Sequence, residues 1–470
     1  MIRYKNHYNT LKRICIKGEK VMENREQWTT KSGFILAAAG SAIGLGNIWR
    51  FPFLVGENGG AAFVFIYLFF IIFIGLFLMI GEIAIGRQGK ANVFDSYKKI
   101  KPNSNWHIIG SMGVLLNFVI LSFYSVVSGW SLYYLVKSIT DLFKEKSSEI
   151  NYQLQFEQFI ADPISPVLYQ GLLMMLVIWI VMSGVKNGIE RWNNFLMPTL
   201  FLLLFLLAIR SLFLSGSSEG LSFFLNPDFS KINGQVILTA LGQAFFSLGL
   251  ASGMYVTYGS YLKDKSNIPL NSVGIIFFDT LVAILAGIII FPAVFSYGID
   301  PAGGPGLVFI TFPMIFADMA FGEYYAILFF FFIFVAAFTS AISLLEVVSN
   351  FIEEKFLITR KKATLIMGFV VFIVGIPNTL SFGVLSNVKF LGNTIFSWFD
   401  IFSSNILMPL SGLLLSIFLG WIWTPEKVKE EIEKEGVPFP FFRVWRFFLQ
   451  YIIPVSIFLV FIQNILGLKF

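Results

Sequence analysis

Small and polar residues interrupt two long apolar stretches of the chain, near the middle of each stretch. The first interruption is AGSAIGLGN at residues 39–47, and the second is FFSLGLASG at residues 245–253. Each glycine costs roughly 1 kcal/mol in a helix interior relative to alanine, so a continuous helix is disfavoured at both places. Where a membrane helix unwinds, its free carbonyls bind cations and the N-terminus of the next half-helix binds anions. The alternative for each stretch is close helix packing through small residues.

Carboxylates and hydroxyls occur in other apolar stretches. Glu82, Asp279 and Glu346 would each cost at least about 2.5–3.5 kcal/mol in the bilayer centre unless compensated. Thr339 and Ser340 share a helical face with the backbone one turn earlier, a spacing that would offer several oxygens to one hard cation. Hydroxyls bonded to their own helix are an equally good interpretation of that pair.

The composition identifies the solvent around these groups as lipid. The chain is 56% hydrophobic and 13% charged, with a mean hydropathy of +0.75, whereas soluble domains carry about 25% charged residues. One cysteine and two histidines leave no disulfide framework or metal cluster to predict. No nucleotide-binding motif or alternating strand pattern occurs. We therefore expect a helical membrane protein with the bilayer as its partner, not an enzyme and not a nucleic-acid binder.

Apolar runs near the length needed to cross a bilayer predict eleven spans. They cover approximately residues 31–56, 61–86, 108–142, 166–184, 191–215, 234–262, 269–297, 323–357, 361–380, 390–422 and 441–468. The Pro- and Gly-rich loop 298–322 ends in an apolar stretch and is predicted to be a re-entrant external lid. Residues 1–24 form a basic extension, and we hypothesise that translation starts at Met22.

Charge in the short loops predicts the orientation. Loops after even-numbered spans are basic, and the alternate loops are acidic or neutral. The basic set is Lys90, Lys98, Lys99, Lys101, Lys186, Arg191, Lys263, Lys265, Arg360, Lys361 and Lys362. The acidic set is Glu145, Glu149, Glu157, Asp162, Glu219, Asp228, Asp300 and Asp318. The positive-inside rule then places the N-terminus in the cytoplasm and the C-terminus outside.

Several blocks together resemble the neurotransmitter:sodium symporters, in particular their bacterial amino-acid-transporting branch. The run GSAIGLGNIWRFP at 40–52 and ENGG at 57–60 carry the resemblance most specifically. Further matches extend the similarity over nearly the whole chain from about Arg25. They are Gly81-Glu82, Gly86-Arg87, Tyr124, Trp130, QAFFS at 243–247, Thr339-Ser340 and Asp400.

The resemblance implies an all-α fold built as an inverted five-plus-five helix repeat, with helices one and six discontinuous. Residues 25–470 would then form a single transporter domain. Its first repeat would cover about 31–215, its second about 234–422, and an extra helix about 441–468. The bacterial branch also implies the inner (plasma) membrane as location. A homodimer is left open by the sequence.

Two sodium sites follow from the resemblance. The first would use the carbonyl of Ala42 and the side chains of Asn47, Ser247 and Asp279. The second would use Gly40, Ile43, Ala336, Thr339 and Ser340. Chloride-dependent animal relatives have a neutral residue where this chain has Asp279, and their chloride site resembles the region of Tyr67, Gln243 and Ser247. We therefore expect no chloride requirement, and proton counter-transport through Asp279 is a further hypothesis.

The resemblance also implies a substrate pocket. Its expected lining is Ser41, Ala42, Gly44, Leu45, Gly46, Ile120, Tyr124, Phe246, Gly249, Ser252, Ser340 and Leu344. Monoamine-transporting relatives carry an Asp at the position of Gly44, so glycine here favours a substrate with its own carboxylate. The leucine-transporting relative has Ser and Phe where this chain has Gly249 and Ser252. A larger cavity, for Trp, Tyr, Phe or similar amino acids, is therefore expected.

Gates complete the implied mechanism. Arg50 with Asp400 would close the outer side of the site, and Arg25 with Glu354 the inner side. An interfacial position for Arg50 and an ordinary positive-inside charge for Arg25 are the alternatives from the residues alone. The predicted function is sodium-coupled import of hydrophobic or aromatic L-amino acids. The alternatives are a transporter of a small amino acid or compatible solute, and an amino-acid sensor that does not transport.

Overall fold

The computed structural model of the chain describes residues 25–140, 151–298 and 307–466. Within these ranges the structure is helical apart from turns and one isolated β-bridge, between Phe390 and Asn393. The helices are α1 Lys31–Ala42, α2 Gly46–Glu57, α3 Ala61–Gly89, α4 Val93–Ile100, α5 Ile108–Thr140, α6 Tyr152–Ala161, α7 Ser165–Met182, α8 Val185–Leu212, α9 Ser217–Leu225, α10 Gly234–Leu248, α11 Met254–Gly259, α12 Ile268–Ser296, α13 Val308–Asp318, α14 Gly322–Phe356, α15 Arg360–Leu380, α16 Ile395–Ile422, α17 Pro425–Ile432 and α18 Phe442–Gln463.

Nine of these helices in the described ranges are long and apolar enough to cross a membrane, and the bent pair α1–α2 makes a tenth candidate. The eleventh predicted span, 234–262, consists of the 15-residue apolar helix α10 followed by the six-residue helix α11. The count of eleven therefore stays a prediction. Large apolar side chains such as Phe195, Leu202 and Phe277 are exposed on the long helices, as expected for faces that meet lipid.

Both predicted interruptions are breaks in the helical backbone. Helix α1 ends at Ala42, Ile43 is extended, and α2 resumes at Gly46 with a bend of 53°. Helix α10 ends at Leu248, and α11 begins at Met254. Between them Gly249 and Gly253 have φ values of +61° and +78°. Glycine adopts this left-handed region without the steric penalty that a Cβ brings, so these residues let the chain leave the helix.

Glu82 explains how the second break is tolerated inside the protein. Its carboxylate is fully buried and accepts hydrogen bonds from the backbone N–H groups of Ala251 and Gly253, at 3.1 and 3.3 Å. Free backbone donors at membrane depth must find partners within the protein. The intramembrane Glu82 identified in the sequence therefore satisfies the unwound backbone between α10 and α11.

Some predicted features fall outside the described residues. The extension 1–24 with Met22, the loop residues Glu145, Glu149 and Asp300, and the C-terminal residues 467–470 are in this group. Of the predicted lid 298–322, the described part contains the short apolar helix α13. The described bounds also place the fifth predicted span earlier than expected, because α8 begins at Val185 instead of residue 191.

Candidate functional site

A cavity lies where the two helix breaks meet α5 and α14. All twelve residues predicted to bind substrate line it, together with Ser247, Met254 and Met408. The cavity, including its open mouth, encloses about 530 Å³. The structure therefore brings together residues as far apart in the sequence as Ser41 and Met408.

Gly44 gives this cavity a polar end. A Cβ added to Gly44 would lie 2.7 Å from Oγ of Ser340 and 2.8 Å from the hydroxyl of Tyr124. The backbone N–H of Leu45 donates to the Tyr124 hydroxyl at 3.3 Å. Glycine is therefore the residue that fits between these two hydroxyls as they stand. The hydroxyls and the backbone N–H groups at the start of α2 give this end of the cavity its polar lining.

Apolar and flexible side chains line other parts of the cavity. Ile120, Phe246 and Leu344 are joined by Met254 and Met408, which the sequence reasoning did not identify. The hydroxyl of Ser252 donates to the carbonyl of Gly249 at 2.7 Å, so it is already bonded within the break. Methionine adapts its shape to its neighbours at low cost. The two methionines had no motif or periodicity that could have indicated their position.

Three residues of the predicted first sodium site, Asn47, Ser247 and Asp279, lie together between α2, α10 and α12. Nδ2 of Asn47 lies 2.8 Å from Oδ1 of Asp279 and 3.0 Å from Oγ of Ser247. Ser247 also accepts a hydrogen bond from Tyr67 at 3.1 Å. Ala42, at the end of α1, lines the adjoining cavity. All of these groups are buried.

Asp279 in this cluster has no cationic partner among the described residues. Its carboxylate meets only the neutral groups of Asn47 and, at 3.4 Å, Ser247. Buried charges in proteins are normally paired or bound to a metal ion. An ionised Asp279 would therefore place an unbalanced negative charge beside several neutral oxygens.

The residues of the predicted second sodium site also meet, between α1 and α14. The Ser340 hydroxyl donates to the carbonyl of Ile43 at 3.0 Å, across the first helix break. Thr339 instead donates to the carbonyls of Val335 and Ala336 in its own helix, each at 3.1 Å. A Cβ on Gly40 would lie 3.4 Å from Cβ of Thr339. Thr339 thus fits the interpretation that these hydroxyls bond to their own helix, whereas Ser340 reaches across the first break, as the interpretation as a cation site requires.

Arg25 and Glu354, the predicted inner gate, form an ion pair. Arg25 also donates to Oγ of Ser260 at 2.6 Å. Close by, the indole N–H of Trp28 donates to the carbonyl of Tyr258 at 2.9 Å. The start of α1 is therefore fastened to α14 and to the segment that follows the second break.

Arg50 and Asp400, the predicted outer gate, line a common vestibule of about 860 Å³. These two described residues form no ion pair with each other. The Arg50 guanidinium lies 4.2 Å from the ring centroid of Phe246, and Asp400 accepts a hydrogen bond from Ser404 at 2.9 Å. The vestibule shares Tyr124 and Phe246 with the central cavity. The protein is thus closed at Arg25–Glu354 and open at Arg50–Asp400.

Arg360 is a further residue of the closed side that the sequence reasoning treated only as a topological charge. It forms an ion pair with the fully buried Glu346, and the hydroxyl of Tyr261 donates to the same carboxylate at 2.6 Å. Its Nε also donates to the carbonyl of Val181 at 2.9 Å. The intramembrane Glu346 therefore joins α14 to α15 and to the residues after α11.

The bundle has two broken helices around a central cavity that is closed on the Arg25–Glu354 side and open on the Arg50–Asp400 side. These features define a secondary transporter of the alternating-access type. A model of the sodium:neurotransmitter symporter family matches residues 25–158 and 150–469. The chain belongs to this family and is a sodium-dependent, multi-pass membrane transporter.

Individual relatives agree with that assignment. The chain is 42% identical over 443 residues to an uncharacterised sodium-dependent transporter, YhdH, of Bacillus subtilis, covering 94% of this chain and 98% of that protein. It is 35% identical over 454 residues to an uncharacterised sodium-dependent transporter of Haemophilus influenzae, covering 94% and 99%. Among solved structures, MhsT in complex with L-phenylalanine matches with a TM-score of 0.87 and 44% identity, over 94% of this chain and 100% of that one. These relatives are transporters, not enzymes.

Proposed function

We propose that this symporter imports hydrophobic or aromatic L-amino acids into a bacterial cell. The observation that carries the proposal is the central cavity, which combines a polar end at Gly44 with the apolar side chains of Ile120, Phe246 and Leu344. The solved relative MhsT, 44% identical, was crystallised with L-phenylalanine. An amino acid of that kind has both a carboxylate and an apolar side chain to match the two parts of the cavity.

The substrate carboxylate would bind beside Gly44. The Tyr124 hydroxyl and the N–H groups at the start of α2 are the donors available to it. An aspartate at position 44 would collide with Ser340 and Tyr124 as they stand and would repel the carboxylate, whereas glycine brings neither problem. This argument favours amino acids over amines that lack a carboxylate.

Two sodium ions would bind with the substrate. At the first site the ion would supply the positive charge that balances the carboxylate of Asp279. Because Nδ2 of Asn47 now faces Asp279, its carboxamide would have to turn to offer Oδ1 to the ion. At the second site the carbonyl of Ile43 and the hydroxyl of Ser340 already lie across the first break, where an ion would hold α1 against α14.

Chloride independence follows from the same carboxylate. Asp279 contributes a fixed negative charge next to Ser247 and Tyr67. A chloride ion at that position would lie close to an ionised carboxylate, and two such charges repel strongly in a buried site. In the proposed mechanism, transport therefore needs no chloride to balance the charge of the sodium ions.

The proposed cycle begins with the arrangement described above, with the N-terminus in the cytoplasm of the cell. Sodium and amino acid enter through the vestibule between Arg50 and Asp400, which then pair over the site. Separation of Arg25 from Glu354 releases the cargo on the other side. Both unwound segments act as hinges, because few helical hydrogen bonds must break there.

Uptake into proteoliposomes tests the proposal. Radiolabelled tryptophan and leucine would be offered under an inward sodium gradient with gluconate in place of chloride. Sodium-dependent accumulation that unlabelled aromatic amino acids inhibit best is the expected result. Binding without accumulation would instead favour the sensor, and accumulation of glycine-sized substrates only would contradict the large cavity.

A further inference from the structure

A second cavity, of about 1230 Å³ including the open solvent at its mouth, lies beside the Arg25–Glu354 pair at the end of α3. It shares no lining residue with the central cavity. Basic side chains dominate its polar lining, with Arg25, Lys90, Lys98 and Lys99 against the carboxylates of Asp95 and Glu354. This cavity, here called the basic cavity, has no part in substrate or sodium binding as proposed above.

Both carboxylates of the basic cavity are already bonded to the protein. Oε2 of Glu354 accepts hydrogen bonds from the backbone N–H and the side chain of Asn92, at 2.7 and 2.9 Å, while Oε1 pairs with Arg25. Oδ2 of Asp95 accepts from the same Asn92 side chain at 2.7 Å. These bonds hold the start of α4 in place.

Lys98 differs from the other basic side chains of this cavity. Lys98 is exposed and has neither a hydrogen bond nor an ion pair among the described residues. Lys99 donates to the carbonyl of Gly89 at 3.0 Å, and Lys90 pairs with Asp264 at 3.0 Å. The hydrogen bond from Lys90 lowers the pKa of the Asp264 carboxyl.

A further feature concerns the inner gate itself. Nε of Arg25 is buried without a hydrogen-bond partner in the described structure, so the closed gate does not satisfy the whole guanidinium. An anion with several acceptor oxygens would balance this charge better than the carboxylates do.

We propose that the basic cavity binds a phosphate-bearing anion, either a lipid headgroup or a soluble phosphate compound. The volume admits a group of that size, and lysine ammonium groups bind phosphate oxygens as point charges. An anion held there competes with Glu354 for Arg25. Its binding therefore weakens the inner gate and links transport to the anion.

Binding of radiolabelled inorganic pyrophosphate to the purified full-length protein tests the site. The test variant is Lys98→Gln/Lys99→Gln, and the matched control is Lys361→Gln/Lys362→Gln, an exposed lysine pair at the start of α15 that lines another part of the surface. With about 1 kcal/mol per basic residue, we expect pyrophosphate to bind roughly tenfold to thirtyfold more weakly to the test variant only. Equal affinity in the two variants, or no saturable binding to the unmodified protein, overturns the proposal.

Competition identifies the source of the phosphate group. Displacement of pyrophosphate by phosphatidylglycerol in mixed micelles, but not by phosphatidylcholine, supports a lipid headgroup. Displacement by soluble phosphate compounds alone supports a soluble ligand. A second readout is the effect of pyrophosphate on amino-acid transport, and it rests on the proposed function. The binding measurement does not depend on the proposed function. Failure of the transport assay and failure of the anion site are therefore distinguishable.

Discussion

The side chain of Asn47 lies 2.8 Å from the carboxylate of Asp279, across the contact between α2 and α12. This contact joins the first helix break to a buried acid that no described basic residue neutralises. The substrate cavity begins at the same break, so the charge of Asp279 and the occupancy of the cavity are physically connected.

Replacement of Asp279 by Asn tests the fixed charge. The substitution keeps the shape and removes the negative charge that balances sodium. Since a hydrogen bond to a charged group contributes about 1.5–3 kcal/mol, uptake without chloride should fall at least about tenfold. Added chloride should restore part of the lost uptake. The measurement compares uptake by the variant in sodium gluconate with its uptake in sodium chloride. Asp228→Asn, at an exposed loop position, is the control. Unchanged chloride-free uptake by Asp279→Asn would show that the carboxylate is not the required charge.

Ser340→Ala examines the second predicted sodium site. The variant loses the hydroxyl that bonds to the carbonyl of Ile43. We expect the sodium concentration for half-maximal uptake to rise roughly threefold to tenfold, as loss of one neutral oxygen contact of about 0.5–1.5 kcal/mol implies. Ser349→Ala on the same helix is the matched control, because that buried hydroxyl has no hydrogen-bond partner in the described structure. A similar rise in both variants would indicate a general effect on α14.

Gly44→Ala should abolish high-affinity substrate binding. Its Cβ would lie 2.7 Å from Ser340 Oγ and 2.8 Å from the Tyr124 hydroxyl, closer than real Cβ contacts. Bound phenylalanine is the measurement, at saturating sodium. Gly242→Ala serves as the control, since a Cβ there meets nothing within 4 Å. Retention of binding by Gly44→Ala would mean that the carboxylate binds elsewhere.

The two helix breaks were predictable from the residues alone, whereas the lining of the cavity was implied by the family resemblance. Glycine and small polar residues inside apolar runs indicated where α1 and α10 would end, and the structure confirms both breaks. The twelve predicted lining residues meet in one cavity because they lie at these breaks or on the two helices that pass them. Assignment of sodium to particular oxygens stays a prediction.

Other features depend on how the helices pack and had no local sequence pattern. Met408 reaches the cavity from α16, and Arg360 reaches Glu346 from the start of α15. In each case the contact joins residues from separate helices, whose relative position the periodicity of either helix does not define. The separation of Arg50 from Asp400 likewise depends on how α2 and α16 are positioned relative to each other.

Glu354→Gln should open the inner gate. The amide keeps the hydrogen bonds with Asn92 but loses the charge that pairs with Arg25. Opening is measured as the rate at which a thiol reagent modifies Ser260→Cys, a buried position beside Arg25, in a Cys15→Ser background. Because an ionic hydrogen bond contributes about 1.5–3 kcal/mol, modification should become roughly tenfold faster or more. A matched change, Glu433→Gln, removes a carboxylate paired at the exposed surface with Lys429 and should leave the rate unchanged. Equal rates in both variants would mean that the ion pair does not hold the gate closed.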